Sequence, residues 1–315
     1  MTKTYIFRAS LETAFYVESV KGRMQRLSIP KRLPIEFGPF HLDRSPNSEF
    51  YFAQLGSGEL PPGVESVDGP PPNQDYPNSV LYVETSIEVE DREDPEAPAD
   101  EIFEDLESML RSFQIGNVSL RRNLSVGTDF GSGDLVWVAF VFSRPIKPKP
   151  EPLYHGRPYL MDDDVLYQFK QYFSRYWETV RHKPKRIYNA LRRFSSSYEE
   201  RVSSDRLVEL IIALESLFGG KGDSTTYKVA LRASCFLHPP GKDRQEAFEK
   251  IGKAYDDRSR LIHGEKLHPR YTDGEIDAIE DLLRKAINKF LEYDVTGTRI
   301  SSDKDLDNLL FFRNQ

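Results

Sequence analysis

The spacing of apolar residues changes at a proline-rich segment near the middle of this 315-residue chain. Before it, short runs of β-branched and aromatic residues alternate in twos or run continuously, as in Val80–Val89 and Leu135–Phe142, which is typical of strands. After it, apolar residues recur every three or four positions, which is typical of amphipathic helices. The segment itself, Ser143–Pro152, has four prolines in ten residues and excludes a helix. The sequence therefore predicts two domains.

Residues 1–145 are predicted to form a small α+β domain of unassigned fold, with a sensing or regulatory role as a hypothesis. Further strand-like runs are Tyr5–Phe7 and Phe50–Phe52. Leu60–Pro77 is dense in Pro, Gly and Asp and is predicted to be a loop. One amphipathic helix is predicted over Ala99–Phe113, because its apolar residues follow helical spacing.

Residues 146–160 are predicted to be a proline-rich linker, residues 161–295 an all-α antiparallel helical bundle, and residues 296–315 a C-terminal tail. Helix starts and stops are marked by capping residues, Pro and Gly. We predict six helices, which begin at Asp162–Asp164, Pro184, Ser203–Asp205, Thr226, Asp243 and Ile276. The short polar loops between them favour antiparallel neighbours.

Composition excludes several classes of protein. A net charge of −7 argues against a general nucleic-acid coat protein, so any RNA contact must come from a local patch. Cys235 is the only cysteine, which excludes a disulfide framework or a cysteine zinc site within one chain. No run of apolar residues is long enough for a transmembrane helix, and no leader is recognisable. We expect a cytoplasmic protein without a membrane segment, a metal or another cofactor.

One basic stretch stands out in this acidic chain. Between Lys170 and Phe194, eight Lys and Arg residues face a single acid, Glu178, with tyrosines interleaved. This is the natural RNA-backbone contact. The candidate nucleic-acid-binding residues are Arg175, Arg181, Lys183, Lys185, Arg186, Arg192 and Arg193. A solvated helix face, or a partner for the acidic stretch Glu84–Glu107, explains the same pattern.

The best candidate for chemistry is the pair Arg258 and His263, five residues apart at the end of the fifth predicted helix. Five steps of about 100° leave their side chains about 140° apart around the axis, so the long Arg side chain has to curl back, or the helix has to end before His263. RNA cleavage by internal attack needs an acid, a base and cationic phosphate contacts. An imidazole and a guanidinium supply these without a metal.

The spacing alone is not specific, because Arg175/His182 and Arg232/His238 have similar spacing. The alternative for Arg258 is an ion pair with Asp256 or Glu265, with His263 at the helix end. Context has to decide between the two interpretations.

Three blocks in order resemble the Apea-like branch of the HEPN superfamily. They are Asp205–Phe218, Tyr227–Ser234 and Tyr255–Gly264, and the last is similar to the family's Arg-polar-x-x-x-His pattern with a trailing Gly. The resemblance covers about 130 residues. It implies a helical bundle, frequently dimeric, in which the Arg and His of both subunits face one cleft.

Carried over residue by residue, the resemblance makes Arg258 the phosphate-stabilising residue and His263 the acid or base. Ser259 holds the polar position after the Arg, where the family often has Asn, Asp or His, so one potential donor is in doubt. Arg260 is a candidate second phosphate contact. Glu215, amid apolar neighbours, is expected to pair with an Arg such as Arg232 or Arg258 rather than to act as an acid or base.

These observations favour a metal-independent endoribonuclease of HEPN type, in antiviral defence or a toxin-like role, acting on RNA as a homodimer. The alternative is a non-catalytic HEPN interaction module that binds a protein, nucleotide or nucleic acid. The two hypotheses differ in whether RNA is turned over or only bound.

Overall fold

The computed structural model describes residues 2–12, 14–16, 19–20, 23–24, 35–42, 45–56, 79–90, 96–116, 118–121, 126–129, 135–138, 159–161, 163–200, 202–219, 225–262 and 273–312, before residue 100 as backbone only. The chain divides into two compact units. Unit one comprises Met1–Glu107 and Gly116–Ser174, and unit two comprises Ser108–Ile115 and Arg175–Gln315.

Unit one contains the strands. They are β1 (Thr2–Glu12), β2 (Ala14–Tyr16), β3 (Ser19–Val20), β4 (Arg23–Met24), β5 (Ile35–Leu42), β6 (Ser45–Gly56), β7 (Ser79–Glu90), β8 (Ser119–Arg121), β9 (Val126–Asp129), β10 (Leu135–Val138) and β11 (Tyr159–Met161). The larger sheet has the order β10-β9-β1-β7-β6-β5, with β8 also paired to β1, and its pairs are antiparallel. The longest strand pairing is that of β1 with β7, in which Thr2 lies opposite Glu90 and Ser10 opposite Tyr82. β11 pairs in parallel with β2.

The strand-like runs predicted at Tyr5–Phe7, Phe50–Phe52 and Val80–Val89 lie within β1, β6 and β7. Leu135–Phe142 is described only as far as β10 reaches. Leu60–Pro77 and Ser143–Pro152 lie outside the described residues. That residues 1–145 form one α+β domain, followed by a linker, stays a prediction.

The helices are α1 (Glu96–Phe113), α2 (Asp163–Arg181), α3 (Lys185–Ser197), α4 (Ser203–Phe218), α5 (Thr225–Leu237), α6 (Lys242–Ile262), α7 (Asp273–Val295) and α8 (Asp303–Asp307), and a π-helical turn, Asn308–Phe312, follows α8. The helix predicted over Ala99–Phe113 and the six helices predicted after the proline-rich segment are confirmed. α1 begins three residues earlier than the predicted Ala99, because Pro98 is tolerated in a first helical turn. In the part of the chain that the structure describes, no helix has the length and apolar composition of a bilayer span.

Helix α4 lies at the centre of unit two and contacts α3, α5, α6 and α7. The apolar face predicted for it is buried along its whole length. Near its end, Phe218 packs edge-on against Phe236 of α5 and Phe290 of α7, with ring centroids 5.4 and 5.5 Å away. Such ring pairs stabilise a core beyond the area they bury. This packing is compatible with the predicted helical bundle.

A buried carboxylate joins α4 to α7. Glu280 of α7 accepts hydrogen bonds from the guanidinium groups of Arg206 on α4 and Arg284 on α7, and from the hydroxyl of Tyr198 at 2.6 Å. Burial alone would raise the pKa of Glu280, but the two arginines and the tyrosine hold it below its ordinary value. The carboxylate therefore stays ionised inside the core. We call these four residues the Glu280 cluster.

The Glu280 cluster also fixes the end of α1. Arg284 donates from Nε to the carbonyl oxygen of Arg111 at 3.1 Å. Arg111 is itself almost fully buried and donates from Nη1 to Oγ and the carbonyl oxygen of Ser195, both at 2.8 Å. Four elements, α1, α3, α4 and α7, thus meet around one polar centre, which the apolar pattern did not reveal.

We expect Glu280→Gln to lower the free energy of unfolding by about 3–5 kcal/mol at neutral pH, because two buried guanidinium groups lose their counter-charge. Since the folded-state pKa of Glu280 is depressed, its contribution is complete above its ordinary pKa of 4.5 and is lost as pH falls through the folded-state value. The difference between the two proteins should therefore shrink below pH 4.5 in urea unfolding curves. Glu246→Gln, in an exposed pair with Lys242, is the control and should cost under about 0.5 kcal/mol. Equal losses for both variants would contradict the role of Glu280.

Two glycines should respond in opposite ways to alanine. A Cβ at Gly252, inside α6, would meet no atom of the described residues within 4 Å outside its own turn of helix, so Gly252→Ala should stabilise by about 0.5–1 kcal/mol through helix propensity. A Cβ at Gly219 would lie 2.4 Å from the carbonyl oxygen of Glu215, so Gly219→Ala should destabilise. Thermal unfolding of both variants measures the two signs, and destabilisation by Gly252→Ala would show that this face of α6 is occupied.

Candidate functional site

Arg258 lies on α6 opposite Glu215 of α4. Its Nη1 is 3.7 Å from Oε1 of Glu215, and both side chains are about one quarter exposed, at 22% and 25%. The hydroxyl of Tyr255, one turn earlier on α6, donates a hydrogen bond to the same oxygen of Glu215. The guanidinium carbon of Arg258 lies 5.8 Å from the centre of the Tyr255 ring. We call Glu215, Tyr255 and Arg258 the Arg258 site.

Glu215 was expected to pair with Arg232 or Arg258, and its ion pair is with Arg258. Arg232 binds the carboxylate of Asp307 instead, with Nε and Nη2 at 2.8 and 2.7 Å from its oxygens. The carboxylate of Glu215 therefore has a tyrosine and an arginine as partners, both from α6. This supports the structural pairing that was preferred for Glu215.

Tyr255 is the residue of this site that the sequence analysis missed. It is 8% exposed, and burial, together with the hydrogen bond to Glu215, raises the pKa of its hydroxyl above the ordinary value. It therefore remains a hydrogen-bond donor at every physiological pH. Helical spacing places Tyr255 on the inward face of α6 with Phe248 and Ile251, but spacing within one helix does not show that the hydroxyl reaches α4.

The guanidinium of Arg258 keeps donors that no described residue uses. Its Nε is buried and has no hydrogen-bond partner within the described ranges. The 3.7 Å contact to Glu215 is too long for a hydrogen bond. By contrast, Arg175, Arg193 and Arg232 each donate hydrogen bonds to a carboxylate. An arginine carries five N–H donors, so Arg258 is held in place without being saturated.

His263 lies outside the described residues, as do Gly264 and Glu265. Its approach to Arg258 therefore stays a prediction, and so does the alternative pair of Arg258 with Glu265. No ion pair joins Arg258 to Asp256 among the contacts of the described side chains. Ser259 and Arg260 are both exposed on α6. Nη1 of the exposed Arg260 lies 3.8 Å from the carboxylate of Asp257, whose side chain is buried.

Three of the basic residues predicted to bind nucleic acid are held by carboxylates. Arg175 binds Glu292 with Nε and Nη2 at 2.8 and 2.5 Å. Arg193 donates to Glu209 at 3.1 Å, and Arg186 donates to Asp303. The acids come from distant positions in the chain. The stretch Lys170–Phe194 is therefore strongly basic in sequence, but carboxylates neutralise three of its arginines in the fold.

The other four residues of this set differ in their contacts. Arg181 lies over the ring of Trp177 at 5.7 Å, and Lys183 lies over the ring of Tyr188 at 5.2 Å. Burial lowers the pKa of Lys183. Lys185 and Arg192 on α3 are exposed and form no ion pair with the side chains that the structure describes. They are the two members of the set whose charge faces solvent without a partner there.

The described residues include no group of three or more His, Cys, Asp or Glu side chains arranged for a metal. Cys235 is a free, half-buried thiol on α5. The guanidinium of Arg258 can bind an oxyanion. The side chains of Glu215 and Tyr255 hold that guanidinium in place.

We expect Tyr255→Phe to lower the free energy of unfolding by about 1–3 kcal/mol, because Glu215, a charged and partly buried acceptor, loses the hydrogen bond that the Tyr255 hydroxyl donates. Tyr227→Phe is the matched control, since Tyr227 is 57% exposed, and it should cost almost nothing. Urea unfolding of both variants measures the difference. An equal effect of the two substitutions would mean that the Tyr255 hydroxyl contributes nothing to the site.

No protein-family model matches the chain, and neither a curated protein nor a solved structure does. The resemblance to the HEPN superfamily rests on the three sequence blocks alone, and its consequences for function are proposals.

Proposed function

We propose that this protein is a metal-independent endoribonuclease of HEPN type, in which Arg258 contacts the scissile phosphate and His263 transfers a proton. One observation supports it most: Arg258 is fixed on α6 by Glu215 and Tyr255, yet donates no hydrogen bond to a described residue. An arginine that served structure alone would be expected to use its donors, as Arg232 and Arg284 do with Nε and the terminal nitrogens.

The proposed reaction needs only groups of the chain and of RNA. A 2′-hydroxyl attacks the neighbouring phosphorus, the bond to the 5′-oxygen breaks, and a 2′,3′-cyclic phosphate forms. Negative charge grows on the non-bridging oxygens, and the guanidinium of Arg258 is suited to bind them. One His263 takes the proton from the 2′-hydroxyl, and His263 of the partner subunit in the proposed homodimer gives a proton to the leaving 5′-oxygen. The partial exposure of Arg258 leaves it reachable for a phosphate.

Glu215 has two consequences for a bound phosphate. Its charge fixes Arg258 at one side, which reduces the conformational entropy that the long side chain loses on binding. Its charge also repels a phosphate, and the hydrogen bond from Tyr255 draws one carboxylate oxygen toward the tyrosine. In this proposal Arg260 and Ser259, both exposed on the same helix, are candidate secondary contacts.

RNA contacts outside the site are proposed for Lys185 and Arg192, the two cations of the basic stretch that have no described ion pair. A homodimer in which two copies of the Arg258 site face one cleft is part of the same proposal, because the family resemblance implies it. A role in antiviral defence or as a toxin follows from that resemblance as well.

A second candidate function is a non-catalytic interaction module. The ion pair of Arg258 with Glu215 supports it, because a neutralised arginine attracts a phosphate less strongly. In that case the same surface binds a partner without turnover. A measurement of RNA cleavage distinguishes the two functions, because only the nuclease turns RNA over.

The test is RNA cleavage by the whole chain in EDTA. We expect products with 2′,3′-cyclic phosphate ends. Arg258→Ala should reduce the rate by a factor of about 100 or more, and His263→Ala by a similar factor, because each removes a group that acts on the transition state.

Two substitutions serve as matched controls. Arg299→Ala removes an exposed arginine and His182→Ala an exposed histidine, and neither should change the rate by more than about twofold. Thermal unfolding shows whether all variants are folded. Unchanged cleavage in both site variants, or RNA binding with no cleavage by the unsubstituted protein, would overturn the nuclease proposal.

A further inference from the structure

Two arginines meet at the end of α4. Arg186 of α3 donates from Nη1 to the carbonyl oxygen of Leu217 at 2.7 Å, and Arg232 of α5 donates from Nη1 to the carbonyl oxygen of Phe218 at 3.0 Å. These carbonyls are among the last of α4, which have no partner within the helix. Both guanidinium groups are therefore positioned by backbone atoms, and they are only 15% and 9% exposed.

The remaining donors of both arginines bind carboxylates of α8. Asp303 accepts from Nη2 of Arg186 with one oxygen, and its other oxygen lies 3.9 Å from Nη1 of Arg232. Asp307 accepts from Nε and Nη2 of Arg232 at 2.8 and 2.7 Å, in a two-bond, side-on geometry. One carboxylate thus lies between two guanidinium groups, and a second one forms a paired contact. Phosphate oxygens are bound by arginine in the same ways.

Besides these ion pairs, α8 is held to the described residues through one buried side chain. Its first turn is closed internally, because Ser302 caps the backbone N–H of Asp305 and Asp305 accepts from the N–H of Ser302. Leu306 is its one buried residue. The carboxylates of Asp303 and Asp307 remain 36% exposed, so solvent reaches the ion pairs. Partly exposed ion pairs are weakened by salt and contribute little net stability.

We propose that Arg186 and Arg232 form a binding site for a phosphate group, and that Asp303 and Asp307 of α8 occupy it as internal competitors. The carbonyls of Leu217 and Phe218 hold the two arginines in place after α8 leaves, so the site is preformed. A phosphate on a nucleotide and free inorganic phosphate offer the same oxygens. The Arg186–Arg232 site lies on helices other than the one that carries Arg258, and it does not depend on the proposed nuclease activity.

The test is calorimetric titration of the whole chain with inorganic phosphate and, separately, with adenosine 5′-monophosphate, at constant ionic strength set by chloride. In the Asp303→Asn/Asp307→Asn protein the internal competitors lose their charge but keep their shape. We expect phosphate to bind this variant at least roughly tenfold more tightly than the unsubstituted chain. Adding Arg232→Gln should abolish the gain.

Two further measurements keep the test decisive. Glu209→Gln frees Arg193, a single exposed arginine, and should bring no gain, since one guanidinium is not a preformed pair. If the double variant does not fold, Asp303→Asn alone is used, and phosphate should raise its melting temperature more than that of the unsubstituted chain.

Tighter binding of adenosine 5′-monophosphate than of phosphate would support the site and identify a nucleotide as its ligand. Equal affinities for the two ligands would also support the site and would show that it recognises the phosphate group alone. Affinities that the substitutions of Asp303 and Asp307 leave unchanged, or a gain as large in Glu209→Gln, would overturn the proposal.

Discussion

The buried carboxylate of Glu280 is the interaction on which the rest of unit two depends. An ionised group in the core is tolerated only when opposite charges and hydrogen bonds surround it, and here Arg206, Arg284 and Tyr198 fill those positions. Because the partners come from α4, α7 and Tyr198, which follows α3 directly, the cluster fixes how these helices meet. Helix α4 carries Arg206 near one end and Glu215 in its last turns, so its placement also sets where Glu215 meets α6.

The arginines of this protein differ in how fully their donors are used. Those of the Glu280 cluster are buried with carboxylates, and those at the end of α4 bind both backbone carbonyls and the acids of α8. Arg258 has a carboxylate nearby but no hydrogen bond to a described residue. That difference in satisfaction, rather than the number of basic residues, selects Arg258 as the candidate for binding a phosphate from outside.

Sequence periodicity predicted the helices of unit two well, since apolar residues at helical spacing such as Leu207, Leu210 and Leu214 are buried as expected. It failed where charge was decisive. Arg206, Glu280 and Arg284 look like ordinary surface residues in a helical pattern, because nothing local shows that they face one another across the core. For the same reason the sequence did not show that three arginines of the basic stretch pair with Glu292, Glu209 and Asp303, which are distant in sequence. For the candidate site, Glu215 was expected to pair with Arg232 or Arg258, and the structure has the pair with Arg258. The hydrogen bond from Tyr255 to Glu215 was not expected, because it joins two helices.

The most direct measurement is a nuclear magnetic resonance titration that follows the guanidinium ¹⁵N signals of the arginines while an RNA oligonucleotide with 2′-deoxy substitutions, which cannot be cleaved by internal attack, is added. The signals of Arg258 are assigned with an Arg258→Lys variant. If the guanidinium of Arg258 binds a phosphate, these signals shift and reach saturation as RNA is added, while the signals of Arg206 and Arg284 do not change. Signals of Arg258 that do not move while those of other arginines do would contradict the account.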